Sequence, residues 1–293
     1  MHRYNAGVMR ILVSGATGFI GAHLIRALSE EHEITALARN APPRHGPARI
    51  RWVFQDLAAP LDEARLPSQI DAVIHLAQSR FYKEFPEQAR DILGVNVHGA
   101  LELLEYSRRA HAQTFVLASS GGVYGYSFEK LMETAPVNPL DFYLSSKYAA
   151  ELLTANYQRF FKTIVLRFFF VYGPGQSRML IPTLLRKVTG RETILVEANP
   201  ELHINPIYVG DAVRVFEPAL RLGASALVNV AGDEVVSITE LISVIERATG
   251  RTASITYKES THTGDLIGDN SRMKTTLGIS PQTALLAGVK QMI

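Results

Sequence analysis

The sequence predicts an α/β fold with a doubly wound parallel sheet and a smaller C-terminal lobe, on three observations. Short apolar runs alternate with longer segments of helical spacing, which is the pattern of βαβ units. The apolar runs are nearly continuous, so we expect helices to cover both faces of the sheet. A glycine-rich segment joins the first apolar run to the first helical segment.

The regular pattern extends from residue 10 to residue 173. It predicts strands over residues 10–14, 33–39, 51–56, 72–77, 114–119 and 163–169. Helical spacing separates these strands, notably over residues 19–28, 86–110 and 142–161. Strands alternating with helices in this way form a parallel sheet.

The pattern becomes irregular after Gly173. It predicts helices over residues 181–189, 211–222 and 238–249, the last capped by Ser237, and extended segments over 193–196, 203–208 and 226–231. We therefore expect a nucleotide-binding domain over residues 1–173 plus 205–236. A substrate-binding lobe is expected over residues 174–204 plus 237–293, above the carboxyl ends of the strands, where open α/β sheets bind ligands.

Composition excludes several classes of protein. The chain has no cysteine, which excludes disulfides, thiolate metal sites and cysteine nucleophiles, and we expect no metal. Its net charge is +2 with no basic block, so a nucleic-acid partner is not expected. No apolar run approaches the ~20 residues of a membrane span, and the N-terminus lacks the apolar core of a signal peptide. We expect a cytoplasmic location.

The glycine-rich segment has the spacing of a dinucleotide-binding turn. Gly15 would allow the tight turn, Gly18 would let the backbone approach a pyrophosphate, and Gly21 would let helix and strand pack closely. The following helix would offer free N–H groups to the phosphates. The alternative is a turn that binds nothing, but the flanking strand and helix favour a Rossmann-type NAD(P) site. We expect contacts to the cofactor from Gly15, Thr17, Gly18, Phe19, Ile20 and Gly21.

The end of the second predicted strand indicates which cofactor is used. An acidic side chain there binds the adenosine ribose, whereas an arginine suits a 2′-phosphate. The chain has Arg39 and no carboxylate at this point, which favours NADP; the alternative is a solvated arginine. Other strand ends are expected to touch the cofactor through Asp56, Leu57, Leu76, Ala77 and Gln78. Asp56 taken alone is more often a turn residue, and His75 is expected to be a buried core histidine.

Tyr143 and Lys147 are the candidate catalytic pair. They stand four residues apart in a predicted helix, so they share one face. A phenol titrates near ~10, and a nearby ammonium group together with an oxidised nicotinamide would stabilise its anion. Ser119 and Ser120 end the fifth predicted strand, where a hydroxyl can orient a substrate oxygen. A surface helix with an accidental tyrosine and lysine is the alternative, which the glycine turn upstream disfavours.

These residues together resemble the extended short-chain dehydrogenase/reductase family, in particular its NAD-dependent epimerase/dehydratase group acting on nucleotide sugars. The resemblance covers nearly the whole chain. It rests on the glycine turn, Asp56-Leu57, His75-Leu76-Ala77, Asn96, Ser119-Ser120, Val123-Tyr124-Gly125, Tyr143 with Lys147, Arg167, Tyr172-Gly173-Pro174-Gly175, Tyr208-Val209-Gly210-Asp211 and Leu277-Gly278.

The resemblance implies roles for several of these residues. Tyr143 would be the acid/base, Lys147 its partner and a ribose ligand, and Ser120 the hydroxyl beside the substrate. Asn96 and Ser119 would lie in the cofactor site. The resemblance also implies a homodimer built on the helices around residues 86–110 and 142–161.

Two glycines depart from the pattern of the resembled dehydratases. Sugar 4,6-dehydratases of the family carry an Asp-Glu pair where this chain has Gly121-Gly122, and the decarboxylating relatives also use an acid there. Glycine cannot move a proton, so we expect neither reaction.

Other departures concern the substrate diphosphate. Phe170 replaces an asparagine of the family, and His203 and His262 stand near positions where the family often has arginine. A neutral histidine is a poor substitute for a bidentate arginine. The substrate is therefore expected either to lack a diphosphate or to bind it through Arg178 or Arg272.

The expected function is that of an NAD(P)-dependent oxidoreductase of the sugar epimerase or ketoreductase type. Its expected partner is a small-molecule substrate, for which a sugar nucleotide is favoured. Two alternatives stay open. One is an NADPH-dependent reductase of a non-nucleotide carbonyl compound, and the other is a non-catalytic NADP-binding redox sensor.

Overall fold

A seven-stranded sheet forms the centre of the computed structural model, which describes residues 7–39, 50–260 and 264–293. Its strands are β1 (Arg10–Ser14), β2 (Glu33–Ala38), β3 (Ile50–Phe54), β4 (Ala72–His75), β5 (Thr114–Ser120), β6 (Lys162–Phe168) and β11 (Ala226–Val230). The spatial order is β11-β6-β5-β4-β1-β2-β3. β1 pairs in parallel with both β2 and β4, and the pairs β2–β3 and β4–β5 are also parallel.

This strand order confirms the predicted fold class. The chain steps from β1 outwards to β3, returns to β4 on the other side of β1, and then steps outwards to β6. That reversal is the switch point of a doubly wound sheet, beside which ligands bind at the carboxyl ends of the strands. The central strands are buried as predicted, with Ile11, Leu12 and Val13 of β1 fully inaccessible, whereas the edge strand β3 buries only Val53.

The helix predicted over residues 86–110 differs in form. It consists of α2 (Ala89–Leu93), a π-helical turn (Gly94–His98) and α3 (Gly99–Arg109). A π-helical turn holds one residue more than an α-helical turn and often marks a functional position. Asn96 lies within it. The helices α1 (Phe19–Leu28) and α4 (Phe142–Asn156) begin where predicted.

Two later predictions are wrong because a segment is interrupted. The strand predicted over residues 203–208 is split into β9 (His203–Ile204) and β10 (Ile207–Tyr208) by Asn205 and Pro206. Proline lacks the N–H that a continuous ladder needs. β9 pairs antiparallel with β12 (Val236–Ser237), and β10 pairs with β7 (Val171–Tyr172).

The second interruption divides the helix predicted over residues 211–222. It forms two short helices, α6 (Val209–Arg214) and α7 (Phe216–Leu220). The other elements are α5 (Leu180–Gly190), β8 (Thr193–Ala198), α8 (Ile238–Thr249), β13 (Ser254–Glu259), α9 (Ser271–Leu277) and α10 (Leu285–Lys290). Ser237 caps α8 as predicted, in a capping box with Glu240.

The described residues form two compact units. The first comprises Met1–Ala118, Asp141–Val165 and Ala219–Ala226, and the second comprises Ser119–Leu140, Leu166–Pro218 and Leu227–Ile293. The second unit has a core of its own, to which α5, β8 and α8 contribute buried side chains such as Leu184, Ile194 and Leu241. The domain boundaries expected from the sequence stay a prediction.

In the described part of the chain, no helix combines the length and the apolar character that a membrane crossing requires.

Candidate active site

The glycine turn leads from β1 into α1 and leaves room only for glycine at two positions. Gly15 has a φ of +69°, and a Cβ on it would lie 2.6 Å from the backbone nitrogen of Ala77. A Cβ on Gly21 would overlap the carbonyl oxygen of Gly15. Gly18 is the N-cap of α1 and has no capping side chain. The N–H groups of the first helical turn are therefore free for a phosphate, and the turn fits the pyrophosphate of a dinucleotide.

Thr17, Phe19 and Ile20 lie where predicted, on and beside this turn. Thr17 is exposed, whereas Phe19 and Ile20, the first two residues of α1, are half-buried. The first turn of α1 contains no acidic residue. No acidic side chain in this turn would therefore repel an anion, and the positive end of the helix dipole would attract it.

The carboxyl end of β4 packs against the glycine turn. The Leu76 N–H donates to the carbonyl of Ser14 (3.2 Å), and the Ala77 N–H lies 3.4 Å from the Ser14 hydroxyl. His75 is buried beside them, with its Nδ1 2.6 Å from the same hydroxyl. Burial, together with the charge of Lys147, lowers the pKa of His75 to about 3. His75 is thus the neutral core histidine that the sequence predicts.

α4 presents the tyrosine–lysine pair. Asp141 caps the helix, because its carboxylate accepts from the Leu144 N–H at 2.7 Å. The Tyr143 hydroxyl donates to Gln78 Oε1 at 2.8 Å. The Lys147 ammonium donates to the carbonyl of Ala118, near the end of β5, at 2.5 Å. The described residues thus bring Gln78, Tyr143 and Lys147 together at the carboxyl ends of β4 and β5.

Both groups of the pair have shifted pKa values. Burial lowers the pKa of Lys147 to about 8, since it disfavours the ammonium form. Burial also raises the pKa of Tyr143, and the neighbouring Tyr82 and Asp141 raise it further. The protein alone therefore holds Tyr143 as a neutral phenol, and ionisation requires added positive charge.

Asn96 supports this helix from the π-helical turn and is itself buried. Its side-chain oxygen accepts from the Ser79 N–H, and its side-chain nitrogen donates to the Ser146 hydroxyl, both at 2.8 Å. The Ser146 hydroxyl in turn donates to the carbonyl of Tyr143 at 2.6 Å. Asn96 therefore links the segment after β4 to the first turn of α4.

Other predicted cofactor residues follow β2 and β3, which lie on the opposite side of β1 from β4. Arg39 directly follows β2 and is exposed. Asp56 is exposed and forms a turn of its own, because its carboxylate accepts from the Ala58 N–H at 3.0 Å. Leu57 is buried, with its Cβ 3.0 Å from the place where a Cβ on Gly99 would lie. Asp56 therefore forms a turn, and its contact with a cofactor stays a prediction.

The two serines predicted to lie in the site are the first residues of the second unit. Ser119 and Ser120 are the last residues of β5, and the Ser120 hydroxyl accepts from the Gly122 N–H at 3.1 Å. That bond caps the short 3₁₀ turn Gly121–Tyr124. The position of Gly121 is closed by Phe169, because a Cβ there would lie 2.5 Å or less from three atoms of the phenyl ring.

The expected substrate residues also belong to the second unit. Phe170 has a φ of +43°, a left-handed conformation that is strained for a bulky residue. Arg178 is exposed, and Arg272 donates to the carbonyl of Leu227 at 3.1 Å. His203 Nδ1 lies 3.0 Å from an Asp265 carboxylate oxygen. His262 lies outside the described residues.

Sequence reasoning missed the residues that pack on Tyr143. Gln78 was expected only at the cofactor, and Tyr82, whose ring centroid lies 5.3 Å from that of Tyr143, was not predicted. Phe85 stacks on Phe142 in the same region, with 4.6 Å between ring centroids. The only signal was a group of aromatic residues between β4 and α2, which has no regular spacing.

Comparison with known proteins adds to this geometry. The model of the NAD dependent epimerase/dehydratase family matches residues 11–231. The chain is 28% identical over 313 residues to "Uncharacterized UDP-glucose epimerase YtcB" of Bacillus subtilis (strain 168), with 97% of each chain covered. It is 30% identical over 311 residues to the dTDP-4-dehydro-6-deoxy-D-allose reductase of a Streptomyces species, with 96% of this chain and 94% of that protein covered.

Solved structures resemble the chain over nearly its whole length. MoeE5, in complex with UDP-glucuronic acid and NAD, superposes with a TM-score of 0.86 at 28% identity, with 97% of each chain covered. TunA, an NAD-dependent NDP-hexosamine 5,6-dehydratase, superposes with a TM-score of 0.84 at 26% identity, with 97% of this chain and 96% of that chain covered. Similar proteins thus include epimerases, a reductase and a dehydratase.

Proposed function

Because this chain belongs to the NAD-dependent epimerase/dehydratase family, we propose that it oxidises a hydroxyl carbon of a sugar nucleotide and reduces the resulting ketone again, as an epimerase or a ketoreductase does. One observation carries the proposal: Tyr143 and Lys147 share one turn of α4 at the strand ends where the glycine turn meets β4. A non-catalytic sensor needs neither side chain.

Tyr143 is the proposed acid/base. It takes the proton of the substrate hydroxyl during oxidation and returns a proton during reduction, while the bound nicotinamide supplies the chemistry of accepting and giving back a hydride. Lys147, fixed by the Ala118 carbonyl, adds positive charge on the same helical face. Ser120 is the proposed hydroxyl partner of the substrate, and its cap on the Gly122 N–H leaves its own proton free to be donated.

The proposed cofactor is NAD(P), with NADP favoured by Arg39. The exposed guanidinium follows β2, where a 2′-phosphate is recognised in Rossmann-type folds. Titration with both cofactors tests this preference. NADP should bind more tightly to the natural chain, and Arg39→Asp should reverse the order; tighter binding of NAD to the natural chain would contradict it.

Dehydration is the reaction that we propose the chain does not perform. The ring of Phe169 occupies the space next to Gly121, so the backbone at this position has no room for a carboxylate. Elimination of water needs a titratable group that removes one proton and another that protonates the leaving hydroxyl. Tyr143 is not available for either step, because its proposed role is to transfer the proton of the hydroxyl on the oxidised carbon.

UDP-glucose and UDP-glucuronic acid, the sugar nucleotides of similar proteins, are the first substrates to test. Absorbance at 340 nm and product mass separate the candidates. An epimerase forms a product of unchanged mass without net cofactor consumption, and a reductase consumes NADPH with a keto-sugar. A product lighter by one water would identify a dehydratase. No turnover with any sugar nucleotide, but NADPH consumption with simple carbonyl compounds, would favour the alternative reductase.

The proposed assembly is a homodimer that packs the helices of the first unit. Leu93 of α2, Leu101 of α3 and Leu152 of α4 are 40%, 39% and 52% exposed, although each is a large apolar side chain. Light scattering on the natural chain should give the mass of two chains, and Leu152→Glu should give the mass of one. A monomeric natural chain would overturn this proposal.

A further inference from the structure

Gln78 makes the only hydrogen bond that the described residues offer to the Tyr143 hydroxyl. The hydroxyl donates to Gln78 Oε1 at 2.8 Å. Gln78 itself is exposed, and its Nε2 group contacts no acceptor among the described residues. The amide is therefore held at one end only, by the phenol.

The position of Gln78 along the chain fixes where this amide lies. It directly follows Ala77, whose backbone nitrogen would lie 2.6 Å from a Cβ placed on the left-handed Gly15. The Ser79 N–H is bound to the buried Asn96, so the backbone on both sides of Gln78 is anchored. The side chain thus reaches Tyr143 from a rigid base at the carboxyl end of β4.

A carboxamide can serve both protonation states of a phenol. Its oxygen accepts from the neutral hydroxyl, and its NH₂ group donates to a phenolate once the amide has turned by about 180°. The terminal torsion of glutamine is broad, so this rotation meets a low barrier. A group that binds both forms equally well keeps the oxygen in place without opposing ionisation.

The other groups around Tyr143 all oppose ionisation or are engaged elsewhere. Tyr82 packs on its ring, with the Lys83 ammonium 5.6 Å from the ring centroid of Tyr82. Asp141 lies two residues before it at the helix cap, and the Lys147 ammonium donates to Ala118. Among the described residues, none of these groups donates a hydrogen bond directly to the Tyr143 oxygen.

We propose that Gln78 is a positioning residue that holds the Tyr143 oxygen through proton transfer, by its amide oxygen before ionisation and by its amide NH₂ group afterwards. The inference rests on the proposed role of Tyr143. A side chain that could only accept would stabilise the neutral phenol and oppose its ionisation. The amide of Gln78 differs because it can also donate to the phenolate.

Ultraviolet titration in the presence of NADP⁺ tests this without any substrate. Subtracting the spectrum of Tyr143→Phe isolates one phenolate among the 11 tyrosines of the chain. Gln78→Glu keeps an acceptor, loses the donor and adds negative charge, so we expect its Tyr143 titration to move up by at least one pH unit. Gln78→Leu removes both bonds and should titrate within about half a unit of the natural chain, because an amide that serves both states leaves their balance unchanged.

The outcomes separate the two proposals. If the pH at which Tyr143 titrates is unchanged in Gln78→Glu, the role of Gln78 alone is overturned. The same follows if that pH falls by one unit or more in Gln78→Leu, because the amide would then stabilise only the neutral phenol. Absence of a Tyr143 phenolate up to pH 10 in the natural chain contradicts the acid/base role, and the role of Gln78 fails with it. Gln158→Glu is the matched control, an exposed glutamine in the 3₁₀ turn Tyr157–Arg159 that follows the far end of α4, and it should shift nothing.

Discussion

Two side-chain clusters, one in each compact unit, differ in composition. The cluster around Tyr143 in the first unit is polar, with a buried ammonium group and a phenol whose pKa values are both shifted. The cluster around Phe169 in the second unit is aromatic, and its ring fills the space beside Gly121 and Gly268. In the proposed function the first cluster transfers a proton, whereas the Phe169 ring leaves no room for a titratable side chain at Gly121. The predictions below test whether the two clusters differ in function as they differ in composition.

The largest expected effect is the loss of turnover in Tyr143→Phe. Removal of a general acid/base lowers turnover by about 10²–10⁴-fold. Cofactor affinity should change little, because the phenyl ring stays packed on Tyr82. Phe169→Leu is the comparison from the other cluster and should keep turnover within about threefold. Turnover of Tyr143→Phe within a few-fold of the natural chain would falsify the contrast between the clusters.

The buried ammonium group predicts a pH-dependent stability in the apoprotein. Burial lowers the pKa of Lys147 to about 8 in the folded chain, from the ordinary lysine value of 10.5 that applies when the chain unfolds. The unfolded chain binds more protons between these values, so the cost of burying the charge is present below pH 8 and is relieved as pH rises towards 10. The natural chain should therefore gain on the order of 2–3 kcal/mol relative to Lys147→Met over this range.

Urea unfolding of both proteins at pH 7, 8, 9 and 10 measures this gain. A stability difference that is constant over the four pH values would show that the ammonium group is not desolvated. Glu151, whose charge favours the ammonium form, supplies a further check. Glu151→Gln should lower the pH at which the gain begins.

The sequence predicted the first cluster better than the second. The glycine turn and the four-residue spacing of Tyr143 and Lys147 are local patterns, and local patterns fix which residues share a turn or a helix face. The contact between Gln78 and Tyr143 spans 65 residues. It depends on the path of an irregular segment, which no periodicity specifies.

The second cluster was predicted only as an absence. Gly121 was identified because it cannot carry an acid, whereas its packing against Phe169 depends on two strands that are distant in the sequence. The split at Asn205-Pro206 is also tertiary, since β9 pairs with β12 whereas β10 pairs with β7. The sequence therefore predicted one strand and one helix at places where the structure has two of each.

The third effect concerns the space beside Gly121. Gly121→Ala adds a methyl group that meets the Phe169 ring, and overpacking of this kind costs about 1–3 kcal/mol. The neighbour is a side chain, so Gly121→Ala/Phe169→Leu should cost less than the sum of the two single changes. Chemical denaturation of all four proteins measures this coupling. Gly223→Ala, whose added Cβ would meet nothing within 4 Å, is the control and should stay within about 0.5 kcal/mol. Additive effects would mean that the ring moves away freely.

The smallest expected effect is the loss of one hydrogen bond in the aromatic cluster. The Tyr124 hydroxyl donates to Asn229 Oδ1 at 2.9 Å, and the Tyr124 ring is stacked on Phe169 with 6.2 Å between centroids. Tyr124→Phe keeps the stack and leaves the buried amide oxygen without this donor, which costs about 1–2 kcal/mol. Turnover should not change, because this cluster moves no proton in the proposed reaction. Thermal unfolding and steady-state rates test both parts, with Tyr257→Phe, 59% exposed, as the control. A tenfold loss of turnover at unchanged stability would place Tyr124 in the chemistry and remove the distinction between the two clusters.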